Sequence, residues 1–268
     1  MNLQDRVVVV TGAGSGIGRA TALLFASHGA RIAACDVDQP RLDALASELG
    51  DRKLVVRRVD VADRAQMAAF AGAVHAVAPA ADVVINNAGV GLGGTFLDTS
   101  LDDFDWIIGI NLRGVIHGCH FFLPKMVEAK RGGHIINLSS ILGIYGAPSV
   151  TAYAATKFAV RGFSESLRSE LEPFHIGVTA ICPGMINTAI VADGRMRGER
   201  LVQGKVRAAK LFKNKGLAPE KVATEIYAAV QSNPAVRTVG RDAHVIAALQ
   251  RLAPRTLRKI GLRISGRI

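Results

Sequence analysis

Aromatic side chains are scarce in this chain, cysteine is nearly missing, and acidic residues thin out towards its C-terminal end. Of 268 residues 5% are aromatic, and beyond residue 190 only Phe212 and Tyr227 remain. Basic residues in that region attract polyanions, but few rings are there to stack on bases, so nucleic acid is not an expected partner. The three cysteines, Cys35, Cys119 and Cys182, lie in apolar segments without metal-ligand spacing. They read as reduced, buried thiols of a cytoplasmic protein, with no metal site. No uninterrupted apolar run approaches the roughly 18 residues of a membrane-spanning helix. No basic and then apolar leader precedes Val7–Val10, which is itself strand-like. Internal repeats and low-complexity linkers are also missing, and a chain 49% apolar at this length supports one large core.

Short apolar runs near residues 7, 32, 54, 83, 134 and 178 alternate with segments of helical periodicity. That alternation predicts an α/β fold: a Rossmann-like, doubly wound, mostly seven-stranded parallel sheet with helices on both faces. The seventh strand is expected at Val236 to Val239, after a helical run from Pro219 to Ser232. Residues 1–254 read as one domain and 255–268 as a basic tail.

Between the run Val7–Val10 and the helical stretch Arg19 to Ser27 stands Thr-Gly-Ala-Gly-Ser-Gly-Ile-Gly, residues 11–18. Glycines let a chain turn tightly and approach a pyrophosphate without an intervening Cβ, and a helix N-terminus presents free N–H groups to it. The spacing Gly12, Gly16, Gly18 differs from the general dinucleotide fingerprint, and a ligand-free strand-to-helix turn would also use glycines. Asp36, eighteen residues after Gly18, ends the next strand-like run. A carboxylate there accepts from ribose hydroxyls and repels a 2′-phosphate. With no Lys or Arg at Ser15 or Val37, the cofactor reads as NAD.

Tyr153 and Lys157 are four residues apart at the head of a long amphipathic stretch, Ala152 to Glu172, and so share a helix face. A free tyrosine, with a pKa of ~10, is a poor base at neutral pH unless a cation favours its phenolate. Thirteen residues before Tyr153, at the end of the run His134–Ser139, stands Ser140. The carboxyl ends of parallel strands open onto the ligand crevice. Ser139 is expected to face into the sheet.

The glycine turn, Asn86-Asn87-Ala88-Gly89, Asn111, Ser140, Tyr153, Lys157 and Pro183-Gly184, in this order over about residues 3 to 190, resemble the short-chain dehydrogenase/reductase family in its single-domain branch. The resemblance implies a catalytic set of Ser140, Tyr153 and Lys157, with Asn111 holding a relay water. Tyr153 would be the general base, Ser140 would hold the substrate oxygen, and Lys157 would bind the nicotinamide ribose and lower the tyrosine pKa. It further implies an NAD cradle from Gly12, Ser15, Gly16, Ile17 and Gly18. Asp60 and Val61 would flank the adenine, Asn87, Ala88 and Gly89 the adenosine, and Pro183, Gly184, Ile186 and Thr188 the carboxamide and pyrophosphate. In the catalytic domain 1–254, residues 185–218 would cover the substrate, and helices beginning near Asp102 and Tyr153 would pair in a homodimer or homotetramer.

The expected activity is NAD-dependent interconversion of a secondary or lipophilic alcohol and its carbonyl compound by hydride transfer. The substrate pocket would be formed by Gly91–Phe96, Ile141–Pro148 and Ile186–Leu211. Two rivals are an NADPH-dependent carbonyl reductase and a non-catalytic nucleotide sensor. The net charge of +11 is uneven: residues 1–194 carry a net −2, whereas 195–268 hold 17 basic and four acidic residues. In the tail Leu257, Ile260, Ile264 and Ile268 form a helical stripe, with Arg255, Arg258, Lys259, Arg263 and Arg267 around it. Such a helix either lies on an anionic membrane surface or packs its stripe on protein.

Overall fold

The computed structural model describes residues 1–265, with side-chain surroundings through Arg263. Seven strands, β1 (Val7–Thr11), β2 (Arg31–Asp36), β3 (Lys53–Arg58), β4 (Val83–Asn86), β6 (Gly133–Leu138), β7 (Ile176–Pro183) and β9 (Val236–Val239), form one sheet. Its order is β3-β2-β1-β4-β6-β7-β9, and every pairing is parallel. This is the doubly wound, Rossmann-like arrangement, and β9 coincides with the expected seventh strand. The winding direction reverses between β1 and β4. A crevice therefore opens at their carboxyl ends, where the glycine turn and Asn87 sit. A second pair, β5 (Leu92–Gly93) and β8 (Arg195–Met196), lies outside the sheet.

Strand alternation assigns the two faces. Val8 and Val10 pack with Phe25, Val222 and Ile226, from helices α1 (Gly16–Ser27) and α8 (Pro219–Ser232). Val7 and Val9 point the other way, into a cluster with Met67, Phe70 and Phe122, carried by α3 (Arg64–His75) and α5 (Gly114–Ala129). Strands buried on both faces lose the period-two polar pattern, which is why these runs read as continuously apolar. Phe70, Phe122 and Phe25 are fully buried, and each such side chain contributes roughly 2–3 kcal/mol by leaving water. Desolvation pushes the thiols of Cys182 and Cys119 up to about 11 and about 12, so both are neutral.

Helix α2 (Gln39–Leu49) follows β2 and is capped by Asp38, whose side chain accepts from the Arg41 N–H. Helix α4 (Leu101–Ile108) is capped by Ser100 and runs into α5 through a π-helical turn, Gly109–Arg113. Helix α6 (Thr151–Leu171) carries Tyr153 and Lys157. Helix α7 (Glu199–Lys215) follows β8, and none of its residues is buried.

Helix α9 (Arg241–Leu252) leads to α10 (Pro254–Ser265). Leu257 of the predicted stripe is buried, while Ile260 is 41% exposed. Gly261 lies against the Tyr145 hydroxyl. Packing on the protein is thus the alternative that Leu257 takes, and Arg255, Arg258, Lys259 and Arg263 face outward. The Ile264 side chain and residues 266–268, including Arg267 and Ile268, lie outside the described residues. Among the described residues no helix is long and apolar enough to cross a membrane.

Candidate active site

The glycine turn is built around close approaches. A Cβ on Gly18 would overlap the Gly12 carbonyl oxygen and the Asn87 amide, and one on Gly12, whose φ is +63°, would stand 2.7 Å from Ala88 Cα. Asn87 stitches the turn down: its side-chain amide donates to the carbonyls of Thr11 (2.9 Å) and Gly12 (3.0 Å). The Thr11 hydroxyl accepts from the backbone N–H groups of Asn87 and Ala88, each at 3.1 Å. Ser15, the N-cap of α1, makes no side-chain cap bond, so the first N–H groups of this helix stay available to an anion. Ser15 and Gly16, with Arg19, Arg41, Thr188 and Ala189, border a cleft of about 470 Å³. A turn that admits no side chains, below an uncapped helix start, fits the phosphates of a dinucleotide.

Asp36 ends β2 beside this turn. Its carboxylate accepts from the N–H groups of Gly14 (2.8 Å) and Asp38 (3.1 Å). Two arginines come near that the residue types at positions 15 and 37 do not reveal. Arg58 donates through Nε to the Val37 carbonyl at 3.0 Å. Arg41 pairs with Asp38 (3.1 Å) and reaches Asp193 (3.7 Å). Asp60 follows β3 and accepts from the Ala62 N–H at 2.9 Å, and the buried Val61 offers its carbonyl to His117 at 2.8 Å.

Ser140, just past β6, holds its hydroxyl oxygen toward the Leu142 N–H at 3.1 Å and stands near Tyr153. Ser139 turns to α6, donating to the Lys157 carbonyl at 2.8 Å. Its side chain therefore meets the helix, while its backbone N–H still donates to the Ile181 carbonyl of β7 at 2.8 Å. Lys157 is 4% exposed. Its ammonium donates to the Leu138 carbonyl (2.8 Å) and lies 5.6 Å from the Tyr153 ring centre.

Burial pushes the Tyr153 phenol up to about 12, with the nearby Ser140 hydroxyl pulling the other way. Burial also brings Lys157 down to about 8. The protein's own groups alone thus leave the phenol protonated at neutral pH, so the lowering expected from Lys157 is outweighed by desolvation. Asn111, fully buried in the π turn, is fixed at both ends of its amide: it accepts from the Val90 N–H at 2.8 Å and donates to the Val90 carbonyl at 3.0 Å. A methyl on Gly89 would stand 3.3 Å from Asn111 Oδ1 and 3.5 Å from Lys157 Nζ, so the three groups meet at one point.

The segment after β7 closes over this crevice. A methyl on Gly16 would touch Thr188 at 3.1 Å. Ile186 is buried and bridges to Leu217. Pro183 ends β7, and the Gly184 N–H donates to Val239 (2.9 Å). Asp242 accepts from the Met185 N–H at 2.7 Å. Further on, the segment is tied to α4 by Asp103, which is 2% exposed. Its carboxylate accepts from Arg197 Nε (2.6 Å) and Nη2 (2.7 Å) and from Arg195 Nη1 (3.2 Å), and Arg195 stacks 3.8 Å over Trp106. These bonds hold the Asp103 carboxyl down at about 2. Pairs some 90 positions apart leave no mark in the sequence; Asp103, Arg195 and Arg197 read only as charges among charges.

Doubly wound topology, a glycine turn under an uncapped helix, and a Ser, Tyr and Lys gathered at the strand ends define a dinucleotide-dependent enzyme class. The family model for short chain dehydrogenase matches residues 6–197, and the chain belongs to the short-chain dehydrogenase/reductase family. It is 39% identical over 261 residues to the probable oxidoreductase EphD of Mycobacterium tuberculosis, covering 95% of this chain and 44% of that protein. The chain therefore spans less than half the length of that relative. The C alpha-dehydrogenase of a Sphingobium species is 34% identical, over 94% of this chain and 88% of its own. A short-chain dehydrogenase/reductase from Burkholderia phymatum, solved in complex with NAD, superimposes with a TM-score of 0.88 at 29% identity, over 96% of this chain and 97% of that one.

Proposed function

We propose that this oxidoreductase interconverts a lipophilic secondary alcohol and its ketone with NAD, using Tyr153 as general base. The observation that carries the reading is the meeting of Ser140, Tyr153, Lys157 and Asn111 at the mouth of the crevice whose floor is the glycine turn. Ser140 holds the substrate oxygen through its hydroxyl, which stands near Tyr153. Tyr153 takes the hydroxyl proton, and the positive charge of Lys157 lowers the cost of the phenolate. Asn111, pinned to Val90, keeps the lysine end of the site in a fixed geometry. Gly12, Ser15, Gly16, Ile17 and Gly18 would hold the pyrophosphate. Asp60, Val61, Asn87, Ala88 and Gly89 would flank the adenosine, and Pro183, Gly184, Ile186 and Thr188 the nicotinamide side. When bound, NAD supplies the hydride acceptor.

NAD is favoured over NADP by Asp36, whose carboxylate stands at the end of β2 where the ribose hydroxyls would come. A second reading, an NADPH-dependent carbonyl reductase, is favoured by Arg41 and Arg58, which are close enough to that edge to meet a 2′-phosphate. The homodimer would form through the continuous run of α4 and α5 and through α6, where Ile116 of α5 and Phe158 of α6 stay exposed, at 38% and 43%.

The test is NADH formation over a panel of hydrophobic secondary alcohols, with NAD or NADP, for the wild type and Tyr153→Phe. Activity with NAD that falls at least about 10³-fold in the variant is expected. A Tyr153→Phe enzyme as fast as wild type would end the assignment, and activity with NADP alone would transfer it to the second reading.

A further inference from the structure

The cover of the crevice carries an exposed outer surface. Leu97, in the loop after β5, is 94% exposed, and Phe96 beside it is 65% exposed. This loop abuts the start of α7: a methyl on Gly198 would stand 2.7 Å from Asp98 Oδ2, and one on Gly94 would stand 3.0 Å from Arg197 Cβ. One and two turns into α7, Val202 and Val206 are 54% and 80% exposed. The outer face of that helix also carries Arg200, Arg207, Lys210 and Lys213, all exposed. Its acids are engaged: Glu199 accepts from Gln203, and Asp98 accepts from Thr95 and lies at the Gly198 backbone.

The basic helix α10 flanks the same rim. Gly261 touches Tyr145, and four residues on, Ser149 accepts from the Gly94 N–H at 2.8 Å. Thus contacts link the 94–98 loop, α7 and α10 into one stretch of surface that carries cations and protruding apolar tips. The tips project singly from a loop and from a helix, Leu97 and Val206 with most of their surface in solvent. That shape suits a fluid lipid surface into which single side chains sink, and the cations suit anionic headgroups.

We infer that this rim is a docking surface for an anionic phospholipid membrane, which would bring the crevice to a lipid-dissolved substrate. The apolar tips of Phe96, Leu97, Val202 and Val206 enter the interface, and the cations of α7 and α10 hold the headgroups. The tail stripe need not insert, since Leu257 is already spent inside the protein.

Co-sedimentation of the full chain with phosphatidylcholine vesicles, alone or containing about a third phosphatidylglycerol, tests this. Binding is expected only to the anionic vesicles, and salt at roughly 0.5 M should release it. Leu97→Asp/Val206→Asp should lower partitioning at least about tenfold, and Arg207→Glu/Lys210→Glu about as much, with melting temperatures close to wild type because all four positions are exposed. A wild type left in the supernatant with anionic vesicles overturns the inference, and retention of that protein on a polyglutamate column would assign the charge to an acidic protein partner instead. Full binding by Leu97→Asp/Val206→Asp overturns it too, since the charge would then act without this face. Each readout is binding, so a failure here leaves the alcohol dehydrogenase reading standing.

Discussion

Replacing Asp103 by Asn should loosen the cover of the crevice while leaving the sheet intact. The buried carboxylate takes three hydrogen bonds from Arg195 and Arg197. An amide of the same shape turns an NH₂ toward donors and gives up the charge. Charge-assisted bonds contribute about 1.5–3 kcal/mol each, but their loss is offset in part because the two guanidiniums, 40% and 39% exposed, can turn to water. The net cost is about 2 kcal/mol, or roughly a thirtyfold shift in the opening equilibrium of the segment around β8. Amide hydrogen exchange at Arg195 and Arg197, bonded to Gly91 and Gly93, reads this directly. It should speed up by that factor, with a smaller effect on β1 and β4. The pH dependence has a definite sign. A carboxyl held at about 2 against roughly 3.9 in the unfolded chain stabilises the tether above about pH 4 and loses that stabilisation as pH falls toward 2. Unchanged exchange in Asp103→Asn, or an equal acid sensitivity in variant and wild type, would refute the reasoning.

Other substitutions address the crevice itself. Lys157→Met keeps the stem and removes the ammonium, so kcat should fall about hundredfold or more. Because burial holds the lysine at about 8, below its unfolded value, the wild type should gain stability over this variant as pH rises from about 8 toward 10.4; parallel melting curves across that window would contradict the assignment. Asp36→Asn should raise the KM for NAD roughly tenfold and narrow the NAD to NADP preference, and an unchanged ratio would remove Asp36 from the choice of cofactor. Gly18→Ala should cost about 2–3 kcal/mol by overpacking against the Gly12 carbonyl and Asn87, visible as a lowered melting temperature; a melt at the wild-type temperature would show that the turn can give way.

What the sequence discloses depends on how local the cause is. Strands buried on both faces announce themselves as apolar runs, so β1, β2, β4, β6 and β7 were legible; the edge strands β3 and β9, only partly buried, were legible from the run near residue 54 and from the place of Val236–Val239 after a helical stretch, and so was the parallel sheet. Tyr153 and Lys157 share one turn of helix, and their proximity follows from spacing alone. Ser140 and Asn111 needed the whole ordered pattern, since nothing nearby distinguishes them from other polar residues. The strands β5 and β8 are two residues each, too short for any periodicity. Arg41 and Arg58 approach the edge of β2 only because the chain reverses direction twice. Desolvation of Tyr153 was likewise out of reach, because burial belongs to the packed molecule and works there against the helix-face pairing with Lys157.

The π turn at Gly109–Arg113 amounts to one residue more than a regular helix would use between α4 and α5. Removing one residue from it would let the two helices run on as an uninterrupted α-helix, and His117, Cys119 and Phe122 would keep their side of the helix because the wide turn takes up the extra residue locally. What would go is the placement of Asn111 against Val90. A one-residue deletion a turn further on, inside α5, has no such slack and would rotate everything beyond it by about 100°. Length is therefore a coded property of α5 but a negotiable one at the π turn, where a deletion should harm the site more than the fold.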